Sequence, residues 1–124
     1  MEKQIVWLAS VLKELRGMPA DVQDQLGYAL HIVQQGGIPQ SASKMAGNLK
    51  EVMEIRVDEG GDTYRAMYTV KLEGVVYVLD AFQKKSKRGI ATPKANLDRI
   101  RKRLQNAKAH YAEYGAPEAE EEGK

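Results

Sequence analysis

The chain has 124 residues, 43% hydrophobic and 29% charged, with a formal net charge of +2. That length fits one domain around one main core, and the composition excludes an extended disordered chain. With no cysteine, disulfides and thiolate chemistry are excluded, which accords with a reducing cytoplasm.

KQIVWLA, residues 3–9, has the β-branched and aromatic content of a short strand. Its apolar run is too short for an export signal, and no stretch has the length to span a membrane. Ser10 is expected to cap a helix carrying Val11, Leu12 and Leu15, which Gly17 and Pro19 interrupt. Val22, Leu26, Leu30 and Val33 recur at helical spacing, with Ala29 beside them, and predict a second helix that Gly36-Gly37 ends. Residues 38–48 read as a connection.

Gly60-Gly61 and Gly74 divide residues 52–83 into three strand-like runs. On the first, Met53, Ile55 and Val57 share one face while Glu54 and Arg56 share the other. VVYVLDAF is apolar on both faces and reads as an inner strand. Thr92 is expected to cap a final helix with Pro93 in its first turn. Leu97, Ile100, Leu104, Ala107 and Tyr111 form that helix's apolar stripe, and Arg99, Arg101, Lys102, Arg103 and Lys108 cover much of the rest. The expected fold is a compact α+β domain over residues 1–115: an N-terminal helical pair, a mostly antiparallel sheet of three or four strands, and a C-terminal helix. Residues 116–124 read as an acidic, mobile tail.

The small net charge hides a partition. Residues 1–80 hold 8 Lys/Arg against 11 Asp/Glu, whereas residues 81–110 hold 10 Lys/Arg against 1 Asp/Glu. A concentrated positive segment attracts an anion even when the whole chain is nearly neutral. Its densest part is FQKKSKRGIATPK, residues 82–94, with Lys84, Lys85, Lys87 and Arg88 between a strand and a helix. Arg56 and Arg65 lie on strands joined by the EGGDT turn, so the hairpin can bring both to the same end of the sheet as Lys84 and Lys85. Guanidinium groups fit phosphate oxygens with a planar set of donors, and lysine adds an adaptable point charge.

Each assignment has a plainer alternative. Arg56 can pair with Glu54, Glu51 or Asp58, and Arg65 with Asp62. The lysines can simply solubilise a loop, and Phe82 can be core. Phe82 and Tyr68 offer stacking surfaces for unpaired bases. Strict alternation puts Arg65 and Tyr68 on opposite strand faces, so sharing one pocket requires a bulge or twist. Arg99 and Lys102 can extend a phosphate track along the last helix, whose basic flank also offers a docking surface for an acidic partner. His31 and His110 are far apart, and neither a metal motif nor a cofactor site is expected.

L49–xx–V52–x–EIR, YRAMY and YVLDAFQKKSKRGIATPK, in this order and followed by an amphipathic helix, resemble the phage-derived Gp49-like, HigB-type toxins of the RelE/ParE superfamily. The resemblance covers about residues 3–114. It implies a cytoplasmic endoribonuclease toxin of a type II toxin–antitoxin pair, acting on mRNA on or off the ribosome, with a helix-turn-helix antitoxin as partner. It assigns phosphate binding or RNA cleavage to Arg56, Arg65, Lys84 and Lys85, with Lys87 continuing the signature. The residues themselves add Tyr68 as a stacking or proton-transfer group. RNA contacts fall to Phe82, Lys87, Arg88, Arg99 and Lys102. His110 and Tyr111 are not fixed by the motif. Two other activities fit the same cations: a noncatalytic nucleic-acid-binding module, and a ParE-like toxin directed at DNA gyrase.

Overall fold

A computed structural model describes residues 2–84 and 92–117. The elements run β1 (Gln4–Trp7), α1 (Val11–Arg16), α2 (Ala20–Gln34), β2 (Ala42–Lys44), β3 (Met53–Glu59), β4 (Asp62–Thr69), β5 (Val75–Lys84) and α3 (Lys94–Tyr114), with a short 3₁₀ turn at Gly47–Leu49. The five strands form one sheet in the order β1-β5-β4-β3-β2. Helices α1 and α2 pack on one face and α3 on the other, giving two apolar layers around a shared sheet. This is the expected RelE-like α+β architecture.

The strongest sequence signals account for the interior. Val22, Leu26, Ala29, Leu30 and Val33 are all buried, so the periodic stripe of α2 is its sheet-facing side. Strand β5 is buried at every position from Val75 to Ala81, as a strand apolar on both faces requires. Gly60 and Gly61 have φ of +61° and +86°, the backbone signs that a two-residue type I′ hairpin demands. Register then follows, with Arg56 opposite Arg65 and Glu59 opposite Asp62.

Four details differ from expectation. The sheet has five strands, because β1 pairs parallel to β5 and β2 pairs antiparallel to β3 within the segment read as a connection. Three residues, Ala42-Ser43-Lys44, are too few and too polar to show a period. The Ser10 side chain makes no capping bond. Pro93, not Thr92, occupies the cap position of α3, with φ −58° and ψ 149°, and its carbonyl accepts the Leu97 N–H at 3.0 Å. Proline's fixed φ suits this extended entry and delays the helix by one residue.

The fourth difference matters most. Between β4 and β5 the pairing shifts from Met67↔Asp80 to Tyr68↔Val78, leaving Leu79 as an extra residue. Such a bulge turns two successive side chains to one face. Leu79 joins the apolar layer under α3, and Asp80 meets Arg99 and Arg103 of the same helix.

Candidate functional site

Register assembles a cationic group on the α3-facing side of the sheet. Arg56, Arg65 and Phe82 are direct partners across β3, β4 and β5, and Lys84 stands opposite Thr63 one step along. These strand positions lie towards the hairpin end, past the Asp80 contacts of α3. The three cations differ in exposure. Arg56 keeps 45% of its side chain in solvent, whereas Arg65 is 2% and Lys84 6% exposed.

Carboxylates hold the two arginines. Arg65 Nη1 donates to Glu54 Oε2 in a nearly buried pair. Arg56 Nε donates to Asp58 Oδ1 at 3.2 Å, and the Thr63 hydroxyl donates to the same oxygen at 2.8 Å. The Thr63 bond, then the Arg56 bond, holds the Asp58 carboxyl below its ordinary value. Burial pushes the Lys84 ammonium below the ordinary lysine value, and the neighbouring Arg65 charge pushes it further; Glu54 opposes both. A cleft of about 310 Å³ reaches Arg65 and Glu54 from between Ser43 on β2 and Leu97 and Arg101 on α3. An anion entering it meets Arg65, already oriented by Glu54, with Arg101 on the opposite wall.

Other sequence-selected residues fall elsewhere. Lys85, Lys87 and Arg88 lie outside the described residues. Phe82 is half-buried against the α3-side layer beside Arg65, so packing and a partly open ring coexist there. Tyr68 sits in the opposite layer, under α2, and is 1% exposed. Burial raises its phenol above the ordinary value. The bulge that could have united Tyr68 with Arg65 lies in β5 and leaves alternation along β4 intact, so the two residues do not share a pocket. For the RNA cleavage that the sequence resemblance implies, Tyr68→Phe is therefore expected to leave the rate within about twofold, since loss of a positioned proton donor would cost on the order of 10²-fold; initial rates on a labelled RNA check this.

The basic flank of α3 is largely engaged within the chain. Arg99 donates through Nε at 3.0 Å and Nη2 at 2.8 Å to Asp80 Oδ2, and Arg103 reaches Asp80 Oδ1 and the Leu79 carbonyl. Arg101 bonds Asn48 and Asp98, and Lys108 bonds Glu51. Arg99 thus clamps the helix to the sheet, and the helix offers an acidic partner much less free charge than its sequence promises. Lys102 remains exposed. His110 and Tyr111 lie at the far end of α3, where His110 Nδ1 meets the Tyr77 hydroxyl at 2.8 Å and Tyr111 donates to the Glu73 carbonyl. Seven steps along the strand separate Tyr77 from Lys84, roughly 23 Å at strand rise.

Sequence reasoning missed Glu54 as the partner of Arg65 and Asp80 as the anchor of α3. Glu54 lies opposite Met67 and diagonal to Arg65. Once the Gly60-Gly61 turn sets the register, that diagonal is readable.

Solved structures share this fold, two of them as follows. Escherichia coli toxin RelE, solved as a doubly substituted variant in the free state, aligns with a TM-score of 0.56 and 20% identity, over 86% of this chain and 98% of that one. The RelBE2 toxin–antitoxin complex of Mycobacterium tuberculosis supplies a chain that aligns with a TM-score of 0.50 and 12% identity, over 68% of this chain and 100% of that one. A comparison with curated proteins gives no sequence match. The family model for phage-derived Gp49-like proteins (DUF891) matches residues 13–105, and the chain belongs to that family. Among the described residues, no helix is long and apolar enough to cross a membrane, and no cluster of His, Asp and Glu could hold a metal ion.

Proposed function

We propose that the chain is the HigB-type toxin of a type II toxin–antitoxin pair, an endoribonuclease that cuts mRNA in the cytoplasm and so inhibits translation. The observation carrying this reading is the convergence of Arg56, Arg65 and Lys84 on one sheet face, with graded exposure and a cleft leading to Arg65. Family membership and the fold shared with RelE support it.

In the proposed reaction the RNA 2′-oxygen attacks the adjacent phosphorus and its proton passes to water. The bond from phosphorus to the 5′-oxygen breaks, leaving a 2′,3′-cyclic phosphate. Arg56, exposed, receives the phosphate; Arg65, fixed by Glu54, stabilises charge building on its nonbridging oxygens. Lys84 gives its proton to the departing 5′-oxygen. A lysine whose pKa is lowered by burial is a better acid than a solvated one. Lys85, Lys87, Arg88 and Lys102 add phosphate contacts, and Phe82 offers a stacking edge for a base. A helix-turn-helix antitoxin would inhibit by covering the cleft.

The pH dependence tests the role of Lys84. Cleavage above the spontaneous background should fall as pH rises through the Lys84 pKa, at a pH below the ordinary 10.5. Lys84→Arg should remove that limb, because arginine keeps its proton. A profile unchanged by Lys84→Arg would count against general-acid action. Supercoiling by purified gyrase, measured alongside RNA cleavage, separates this reading from a gyrase-directed toxin.

A further inference from the structure

A second charged concavity lies on the opposite face of the sheet. It is a groove of about 280 Å³ between the end of α2 and strands β3 and β4, enough for one large apolar side chain. Met53, Tyr68 and Val70 give it an apolar wall, and Ile38 beside it is 75% exposed. Lys3, Lys44, Lys50 and Lys71 stand around its rim. Among the described residues none of these four lysines has an ion-pair partner, whereas the one rim carboxylate, Glu51, is bonded to Lys108 at 2.8 Å. Lys50 and Lys71 nevertheless act on Glu51 strongly enough to help hold it below its ordinary value, after Lys108 itself. The rim therefore carries several like charges around an apolar hollow, with its only carboxylate already used.

We infer that this groove docks an acidic segment of a partner protein, with one large apolar side chain in the hollow and flanking carboxylates on the lysines. Apolar contact supplies affinity and the charges supply selection and encounter rate. A single-stranded nucleic acid fits less well. The rim is lysine, which binds phosphate as a point charge without a bidentate fork, and the wall's largest ring, Tyr68, is 1% exposed and has no free face for a base. The inference goes beyond the ribonuclease reading and does not depend on it, because Arg56, Arg65 and Lys84 occupy the other face.

The probes are three fluorescein-labelled synthetic peptides, Glu/Leu, Glu/Ala and Lys/Leu in sequence, and a single-stranded oligouridylate, each titrated against the full chain. Anisotropy gives affinity, and NMR of the Met53 methyl, Val70 methyls and Tyr68 ring gives location. The Glu/Leu peptide should bind saturably, shift those three residues and weaken with added salt. Lys50→Glu with Lys71→Glu should weaken it about tenfold or more, the scale set by two reversed surface pairs. Arg65→Lys should leave it unchanged. Because both lysines are exposed, the double variant should melt with the parent chain, and the resonance shifts in the parent report the site without any variant.

Equal binding of the Glu/Ala peptide would overturn the inference by showing that the hollow is unused. So would preferential binding of oligouridylate at the same resonances, which would make the groove a nucleic-acid surface. Self-association through this face, or binding that emerges only after residues 118–124 are deleted, would overturn it in favour of a second copy or the chain's own acidic end. Failure of every probe to bind would overturn it outright, whatever the outcome for RNA cleavage.

Discussion

Arg65→Lys is expected to lower the rate constant for RNA cleavage by about 10²- to 10³-fold, the usual cost of removing one preorganised donor at a developing oxyanion. The substitution keeps one positive charge against Glu54 but replaces a planar fork with a point charge. Arg65 is 2% exposed and fixed by Glu54, so its direction is set before RNA arrives. Lysine in its place loses that preorganisation, which affects the transition state more than binding. The expected kinetic signature is therefore a fall in kcat with nearly unchanged RNA association, measured by single-turnover cleavage and filter binding. Arg56→Ala gives a contrasting result. Arg56 keeps 45% of its side chain in solvent; in the proposed reaction it meets the phosphate first, so its loss should raise KM as well as lower kcat. If both variants lost association and cleavage in parallel, the cations would be serving binding alone.

Asp80→Ala is expected to cost about 3 kcal/mol of folding stability, visible as a fall in Tm of roughly 10 °C or more. Asp80 is 3% exposed and accepts from Arg99, Arg103 and its neighbour's Ala81 N–H. Its removal leaves Arg103, with 17% of its side chain exposed, without the carboxylate beneath it. The estimate sits at the low end for a broken buried pair because Arg99 keeps 40% of its side chain in solvent and can turn to water. The consequence extends to function. Arg99 and Arg103 fix the first turns of α3, and Leu97 and Arg101 of that segment form one side of the cleft over Arg65. Cleavage should therefore fall in Asp80→Ala even below its melting transition, whereas Arg99→Met, which removes the exposed partner, should cost less on both counts. Thermal melts followed by circular dichroism, with cleavage at a temperature where both variants are folded, check this.

How far the sequence discloses the molecule depends on whether a feature is local. The α2 stripe is a repeating pattern within one element, and Gly60-Gly61 is a turn chemistry at one point; both are legible without tertiary information. The two-faced burial of β5 is legible for the same reason, since VVYVLDAF has no polar alternation. Strand β1 was recognisable as a strand, but its parallel pairing with β5 depends on a crossover that no local pattern encodes. Strand β2 owes its existence to the neighbouring edge of β3 and not to its own three residues.

The site divides along the same line. A hairpin and a meander predict Arg56, Arg65, Lys84 and Lys85 together. Register brings Arg56, Arg65 and Lys84 to one end of the sheet, with Phe82 opposite Arg65, and Lys85 lies outside the described residues. Alternation already set Tyr68 on the other face from Arg65, and the Leu79 bulge, lying in the neighbouring strand, did not reverse it. The same bulge explains why Asp80, inside a run that reads as apolar on both faces, is not recognised as an anchor. One extra residue turns its carboxylate towards α3, and the basic helix then reads as a clamp more than as an exposed track. Clustered positive charge is thus an incomplete guide to a binding surface until the carboxylates within reach are known.

The most direct measurement is end-group mapping of products from a defined RNA, free and on translating ribosomes, for the parent chain and Arg65→Lys. Fragments ending in 2′,3′-cyclic phosphate and beginning with 5′-hydroxyl, formed by the parent and reduced at least 10²-fold in the variant, are the predicted result. An uncut RNA in both preparations, or the same fragments formed equally well by Arg65→Lys, would contradict it.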